Sequence, residues 1–181
     1  MSSHPVRRVD VVRTHLEMRQ ITALRPAKSM PDGTALTCEI LNATDYRALY
    51  SAVGAQWNWR DRLQLSDGAL DAYLASDNVK LWVLRTVAGL AGYFELQRHR
   101  DGHVEIMYFG LTPAYIGRGL GGWLLTRAVE EAFALDASRV TLHTCTLDAP
   151  AALPNYLARG FVVVREEMYV EEIASTAVAA E

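Results

Sequence analysis

The stretch Gly117-Arg118-Gly119-Leu120-Gly121-Gly122 has the residue types and spacing to hold an anion. It follows a run of β-branched and aromatic residues, Val104 to Leu111, closed by Thr112-Pro113, where proline cannot donate to a ladder. A helical pattern begins directly after it. Glycines at alternate positions let the backbone turn tightly and approach a ligand closely. The amides of such a loop converge, and the helix start adds partial positive charge, so the chemistry is that of a phosphate or pyrophosphate site. Arg118 offers a full charge beside it. The stretch is not a G-x-x-x-x-G-K-[ST] loop, and although Gly117, Gly119 and Gly122 fit the letters of G-x-G-x-x-G, the unit sits too late in the chain for a dinucleotide fold.

Other residues have functional and structural readings side by side. Trp57 and Trp59 flank Asn58 and precede Arg60-Asp61-Arg62. They suit either a wall of an acceptor pocket or a core plug beside a solvated charge patch. His15 sits within a strand pattern, where a histidine is usually structural. Cys38 reads as a small buried apolar residue, and Cys145 lacks the His and Asn/Asp partners of a thiol nucleophile. His99 and His103 flank a hairpin turn and read as solvated.

The elements that must position these residues follow from periodicity. Val6 to Met18 reads as a first strand, and Ile21 to Leu24 as its continuation or partner. Pro26 to Gly33 is turn-rich, and Thr34 to Leu41 is a second strand. Asn42 or Thr44 caps a helix to about Val53, with Tyr46, Leu49, Tyr50 and Val53 on one face and Gly54 at its end. Ser66 caps a second helix to Ala75. Val79 to Thr86, Leu90 to Arg98 and Val104 to Leu111 form an antiparallel meander, with Arg100-Asp101-Gly102 as its hairpin turn. The helix after the glycines carries Leu120, Trp123, Leu124, Ala128, Ala132 and Leu135 on its apolar face. A strand from Arg139 to Cys145 comes next. A short helix from Ala151 to Arg159 then loses one hydrogen bond at Pro154 and ends at Gly160. Phe161 to Val170 is the last strand. This is a mixed α/β chain.

The 181 residues, half of them apolar, suit one domain with a sizeable core. A net charge of -3 without a basic block gives no footprint for nucleic acid. Two cysteines make neither a disulfide framework nor a metal cluster. No apolar run reaches the roughly 20 residues that span a bilayer, and the N-terminus lacks the apolar core of a signal peptide. The reading is a cytoplasmic protein without a membrane or nucleic-acid partner. The tail Ala174 to Glu181 reads as frayed.

A second stretch, Ala151 to Phe161, lies one helix and one strand beyond the glycines. Together the two resemble the GCN5-related N-acetyltransferase (GNAT) superfamily. Its acyl-CoA loop has the form Q/R-x-x-G-x-G/A, here Ile116-Gly-Arg-Gly-Leu-Gly121, with Gly119 and Gly121 at the required positions. Its later Tyr-x-x-x-Gly-Phe is met by Tyr156, Gly160 and Phe161. The match covers about Val79 to Val164. Two positions depart: Ile116 replaces a polar residue, and Ala149 stands where the family often has Asn.

The resemblance implies a single GNAT domain over residues 1–181, in which 1–41 are N-terminal strands and 174–181 a tail. Its mixed sheet has six to seven strands flanked by about four helices. It implies acetyl-CoA as the acyl donor, held by Phe109, Gly110 and Leu111 and by Ile116, Gly117, Arg118, Gly119, Leu120, Gly121, Gly122 and Asn155. It makes Tyr156 the general acid and Glu105, a carboxylate in an apolar strand, the general base, with His143 as the rival base. Trp57, Trp59 and His143 would face the acceptor, a small primary amine, and Asp148 is a weaker candidate to bind it. The protein would be a monomer or homodimer. The alternative is a non-catalytic CoA-binding or partner-binding module on the same fold, favoured by Ile116 and Ala149 and opposed by Tyr156 and Glu105.

Overall fold

The computed structural model describes residues 6–27 and 33–174. Seven strands form one sheet: β1 (Val6–Met18), β2 (Thr34–Glu39), β3 (Val79–Thr86), β4 (Gly89–Arg98), β5 (Val104–Leu111), β6 (Val140–Cys145) and β7 (Val162–Ala174). Four α-helices accompany them: α1 (Ala43–Gly54), α2 (Asp67–Leu74), α3 (Leu120–Ala134) and α4 (Ala152–Ala158). This is the mixed α/β architecture that the sequence implies.

The strand order is β2-β3-β4-β5-β6-β1-β7. All neighbours are antiparallel except β5 and β6, which are joined through α3 and run parallel. β4 is buried on both sides from Ala91 to Leu96, as the centre of a covered sheet must be. Phe94 and Leu96 join the cluster of Leu124, Leu125, Ala128 and Val129 from α3, while Tyr93 joins that of Tyr46, Leu49, Tyr50 and Val53 from α1. The alternation of β4 thus places α3 on one face and α1 with α2 on the other.

The helix starts follow the caps read from the sequence. The Asn42 side chain accepts from Asp45 N at 2.9 Å, and Ser66 Oγ accepts from Ala69 N at 3.3 Å. α1 ends at Gly54 as the sequence implies, but with an ordinary negative φ; a Cβ there would lie 2.3 Å from the Trp59 ring, so the glycine is needed for packing. The left-handed residue of this turn is Asn58, at φ 60°.

Other expectations are corrected. Ile21–Ala23 is a 3₁₀ turn and not a strand, because both edges of β1 are already taken by β6 and β7. It packs on the end of α4, with Arg25 N donating to Arg159 O at 3.0 Å. Pro154 costs no helical bond, since it lies in the first turn of α4, where N–H groups have no intrahelical acceptor. Cys38 is exposed, as it lies on the outermost strand. The last strand runs on to Ala174. Of the turn-rich segment, residues 28–32 lie outside the described residues, as do residues 175–181 of the tail.

Candidate active site

The parallel pairing of β5 with β6 is short. Val104 pairs with Val140 and Glu105 with Thr141, and no further pair follows. Just beyond, β5 carries a bulge: Ile106 opposes Leu96, Tyr108 opposes Glu95, and Met107 is the extra residue. A bulge bends and twists its strand, so β5 leaves β6 at this point. The gap between them opens toward the C-terminal ends of both strands, where ligands of open α/β sheets settle. A cavity of about 460 Å³ fills it.

One end of this cavity is the glycine loop. Gly117 (φ 78°) and Gly119 (φ 79°) are left-handed, and a Cβ on either would point into open space. Here glycine is required by backbone conformation, not by crowding. Gly119 is the N-cap of α3, so the free amides of the first turn face the loop. Ile116, Gly117, Gly121 and Gly122 line the cavity. Arg118 instead lies over the Tyr115 ring at 5.4 Å, Gly119 shapes the turn, and Leu120 is buried in the core. Asn155 Nδ2 donates to Gly121 O at 3.2 Å and so ties α4 to the loop.

The middle of the cavity has β5 on one side, with Phe109, Gly110 and Leu111, and Tyr156 on the other. Gly110 must be small, because a Cβ there would come within 2.6 Å of Val53 Cγ1. Tyr156 is buried and meets the Phe109 and Phe161 rings edge to face at 6.1 and 6.3 Å. Burial first, and the nearby Asp148 carboxylate second, push its pKa up, so its phenol keeps its proton. Among the described residues the hydroxyl makes no hydrogen bond, which leaves that proton for a guest.

The far end is aromatic and carries charge. Trp57, Trp59, Tyr50, Tyr108 and Tyr169 line it, with Asp61, Arg13, Glu171 and His143. The two tryptophan readings merge: both line the cavity, and Trp59 also packs on Tyr50, Tyr93 and Tyr108. The adjacent charge patch is not solvated as a whole. Arg62 reaches inward to Glu95, a fully buried carboxylate, at 2.7 Å, and its guanidinium lies 4.1 Å from the Tyr73 ring centre. Tyr73 Oη donates to the same carboxylate at 2.6 Å, and Tyr46 Oη donates to its other oxygen. Burial opposes the charge on Arg62, but Glu95 outweighs it and raises the guanidinium pKa. This pair anchors the segment that carries Trp57, Trp59 and Asp61.

Asp148 is already engaged. It accepts from Thr144 Oγ1 and Cys145 N at 2.8 Å each, and from Trp59 Nε1 at 3.4 Å. It closes the end of β6 through Oδ2 and holds the indole through Oδ1, and it also lines the cavity.

Glu105 does not line this cavity. It lies where β5 and β6 are still paired, before the bulge. Its Oε1 is 3.4 Å from His143 Nδ1 and its Oε2 is 3.1 Å from His99 Nε2. Burial raises its pKa, but the bonds and charges of His143 and His99 prevail, and the net shift is downward. His143, two residues along from Thr141, is the group that reaches the cavity. The Glu105 carboxylate beside Nδ1 orients the imidazole. His15 is structural: its Nε2 contacts Glu167 at 2.9 Å.

Tyr50, Tyr108, Arg13, Tyr169 and Glu171 were not among the expected site residues. Alternation past the bulge would have pointed to Tyr108. Arg13, Tyr169 and Glu171 reach the site only because β1 and β7 continue the sheet beyond β6, a pairing with no local signal.

Comparison with known proteins agrees with this fold. The model of the Acetyltransferase (GNAT) family matches residues 40–161. No match was found among curated proteins. Among solved structures, a GCN5-related N-acetyltransferase from Kribbella flavida superimposes with a TM-score of 0.62 at 15% identity, over 96% of this chain and 62% of that one. One from Sphaerobacter thermophilus gives 0.60 at 18%, over 94% and 54%. A tandem GNAT protein from the clavulanic acid biosynthesis pathway gives 0.63 at 15%, over 92% and 54%. The chain therefore spans less than two thirds of the length of each of these three. With the family model covering most of its length, the chain belongs to the acetyltransferase (GNAT) family.

Proposed function

We propose that the chain is an N-acetyltransferase that takes acetyl-CoA as donor and moves the acetyl group directly to a primary amine of a small molecule. One observation carries this reading: a single cavity joins the glycine loop at the start of α3, the buried phenol of Tyr156 and an aromatic end beside His143. The pyrophosphate of CoA suits the loop amides, and the pantetheine suits the strand backbone from Phe109 to Leu111, which β6 leaves uncovered.

The chemistry then runs in order. The acceptor amine enters at the aromatic end. Its nitrogen attacks the thioester carbonyl, whose oxygen develops charge that a β5 amide near Gly110 or Leu111 would stabilise. The C–N bond forms, the C–S bond breaks, and the thiolate takes the Tyr156 phenolic proton. His143, oriented by Glu105, receives the proton lost from the amine. Glu105 in this reading positions the base and is not itself the base. The weakly acidic chain and the aromatic end of the cavity favour a small amine over a polybasic tail.

The test pairs calorimetry with a thiol-release assay. Acetyl-CoA and CoA should bind with one equivalent each, and at least one small primary amine in a panel should release thiol. Binding without release on any amine would instead support the non-catalytic module to which Ile116, exposed in the loop, also points.

A further inference from the structure

On the opposite side of the β5–β6 junction from the cavity mouth, the sequence places His99, His103 and Glu105 around one tight hairpin. The hairpin closes with His99 N donating to His103 O at 2.9 Å and Gly102 N to His99 O at 3.0 Å, with Gly102 at φ 84°. The two histidines are thus a cross-strand pair, and Glu105, two residues further along β5, shares their face. The imidazoles lie parallel, with centroids 4.1 Å apart and planes 6° apart. One ring nitrogen from each and one Glu105 oxygen fall within 4.8 Å of one another. All three side chains are partly exposed, at 32% for His99, 18% for His103 and 21% for Glu105.

We propose that this hairpin is a binding site for a divalent transition-metal ion of the zinc class, held by His99, His103 and Glu105. Two imidazoles and one carboxylate are a ligand set that zinc accepts, leaving a fourth position for water. Hard ions such as magnesium and calcium prefer oxygen ligands, and only one side chain here supplies them. Metal–ligand bonds of about 2.0–2.1 Å set tetrahedral neighbours about 3.3 Å apart. The His99 Nε2 to Glu105 Oε2 separation of 3.1 Å already meets that spacing. His103 must close in, and the stacked rings must tilt out of parallel so that both in-plane lone pairs meet one ion.

The surroundings match what metal sites use to fix their histidines. His103 Nδ1 lies 2.5 Å from Asp101 Oδ1, so a carboxylate sets the ring's orientation and leaves Nε2 for an ion. Asp101 is held in turn by Arg139 at 3.1 Å. A cavity of about 390 Å³, bordered by Glu17, Arg139 and Arg165, reaches His103 and Glu105 from the side of β6 and β1. Glu105 spends one oxygen on each neighbour: Oε2 faces His99, and Oε1 faces His143. An ion on the hairpin would therefore share its carboxylate with the histidine of the catalytic cavity.

The test is a titration of the untagged, chelator-stripped chain with Co²⁺, followed by competition with Zn²⁺. One equivalent of Co²⁺ should give the strong visible absorption of a tetrahedral site, and Zn²⁺ should abolish it. His99→Gln and His103→Gln should each remove the band while far-ultraviolet dichroism stays unchanged. Asp101→Asn should weaken affinity about 10–100-fold, the usual cost of losing such an outer partner. His15→Gln, outside the hairpin, should leave the band intact. Absence of a band in the parent chain, or its persistence in the His99→Gln/His103→Gln double variant, would overturn the proposal. Neither result depends on transferase activity, so the functional reading stands or falls separately.

Discussion

At the scale of single residues, Tyr156 has the sharpest prediction. Its hydroxyl borders the cavity, keeps its proton through burial, and serves no internal hydrogen bond among the described residues. Tyr156→Phe keeps the ring that packs on Phe109 and Phe161. It should therefore leave CoA affinity unchanged and slow thiol release by roughly 10²-fold or more, the usual contribution of a positioned acid. Parallel calorimetry and release assays check both halves, and equal rates in the two proteins would remove the phenol from the reaction. Much at this scale was legible. Glycines in the loop betray themselves because positive φ excludes most other residues, and the spacing of Tyr156, Gly160 and Phe161 survives without context. Glu105 and His143 were legible as rival candidates for the base, but not as partners that touch. Which of two carboxylate or imidazole groups reaches a cavity depends on where two strands part, and a one-residue bulge at Met107 decides that.

At the scale of elements, the segment from Ala55 to Gln64 is held by one buried ion pair. Arg62 meets Glu95 beneath a roof of Tyr46 and Tyr73, joining α1, α2 and β4 at one point. Arg62→Ala strands a fully buried carboxylate, and breaking such a pair costs about 3–5 kcal/mol. Urea unfolding should show that loss as a lower midpoint with little change in slope. The same variant should loosen Trp57 and Trp59, visible as a red shift in tryptophan emission at low urea. A midpoint unchanged from the parent would mean the pair bears no weight. The sequence displayed Arg60-Asp61-Arg62 as a charge run, and nothing local tells which charge turns inward. The partner lies 33 positions away on a central strand, so only the folded sheet pairs them.

At the scale of the whole molecule, the sheet is completed in an unusual sequence order. β1 is the first strand in the chain yet lies between β6 and β7, antiparallel to both. Its existence and bounds could be read from its composition, but its place could not, since a strand records its face pattern and not its neighbours. Removal of residues 1–18 would delete an interior strand and leave β7 without its one partner. Such a truncation should abolish the cooperative unfolding transition in calorimetry. Retention of a two-state transition near the parent temperature would show that β1 is dispensable. The same placement brings Arg13 and Tyr169 to the aromatic end of the cavity, so the first and last strands help to shape the site where an acceptor would lie.

The central claim is that the gap between β5 and β6, with the glycine loop at its end, receives the acyl carrier. An amide-resolved NMR titration of the ¹⁵N-labelled chain with CoA addresses it directly. The largest shifts should fall on Gly117, Gly119, Gly121 and Gly122 and on Phe109 to Leu111, while Gly68, on α2, stays still. Saturation with these loop amides unmoved, or with the main shifts outside the gap, would contradict the account.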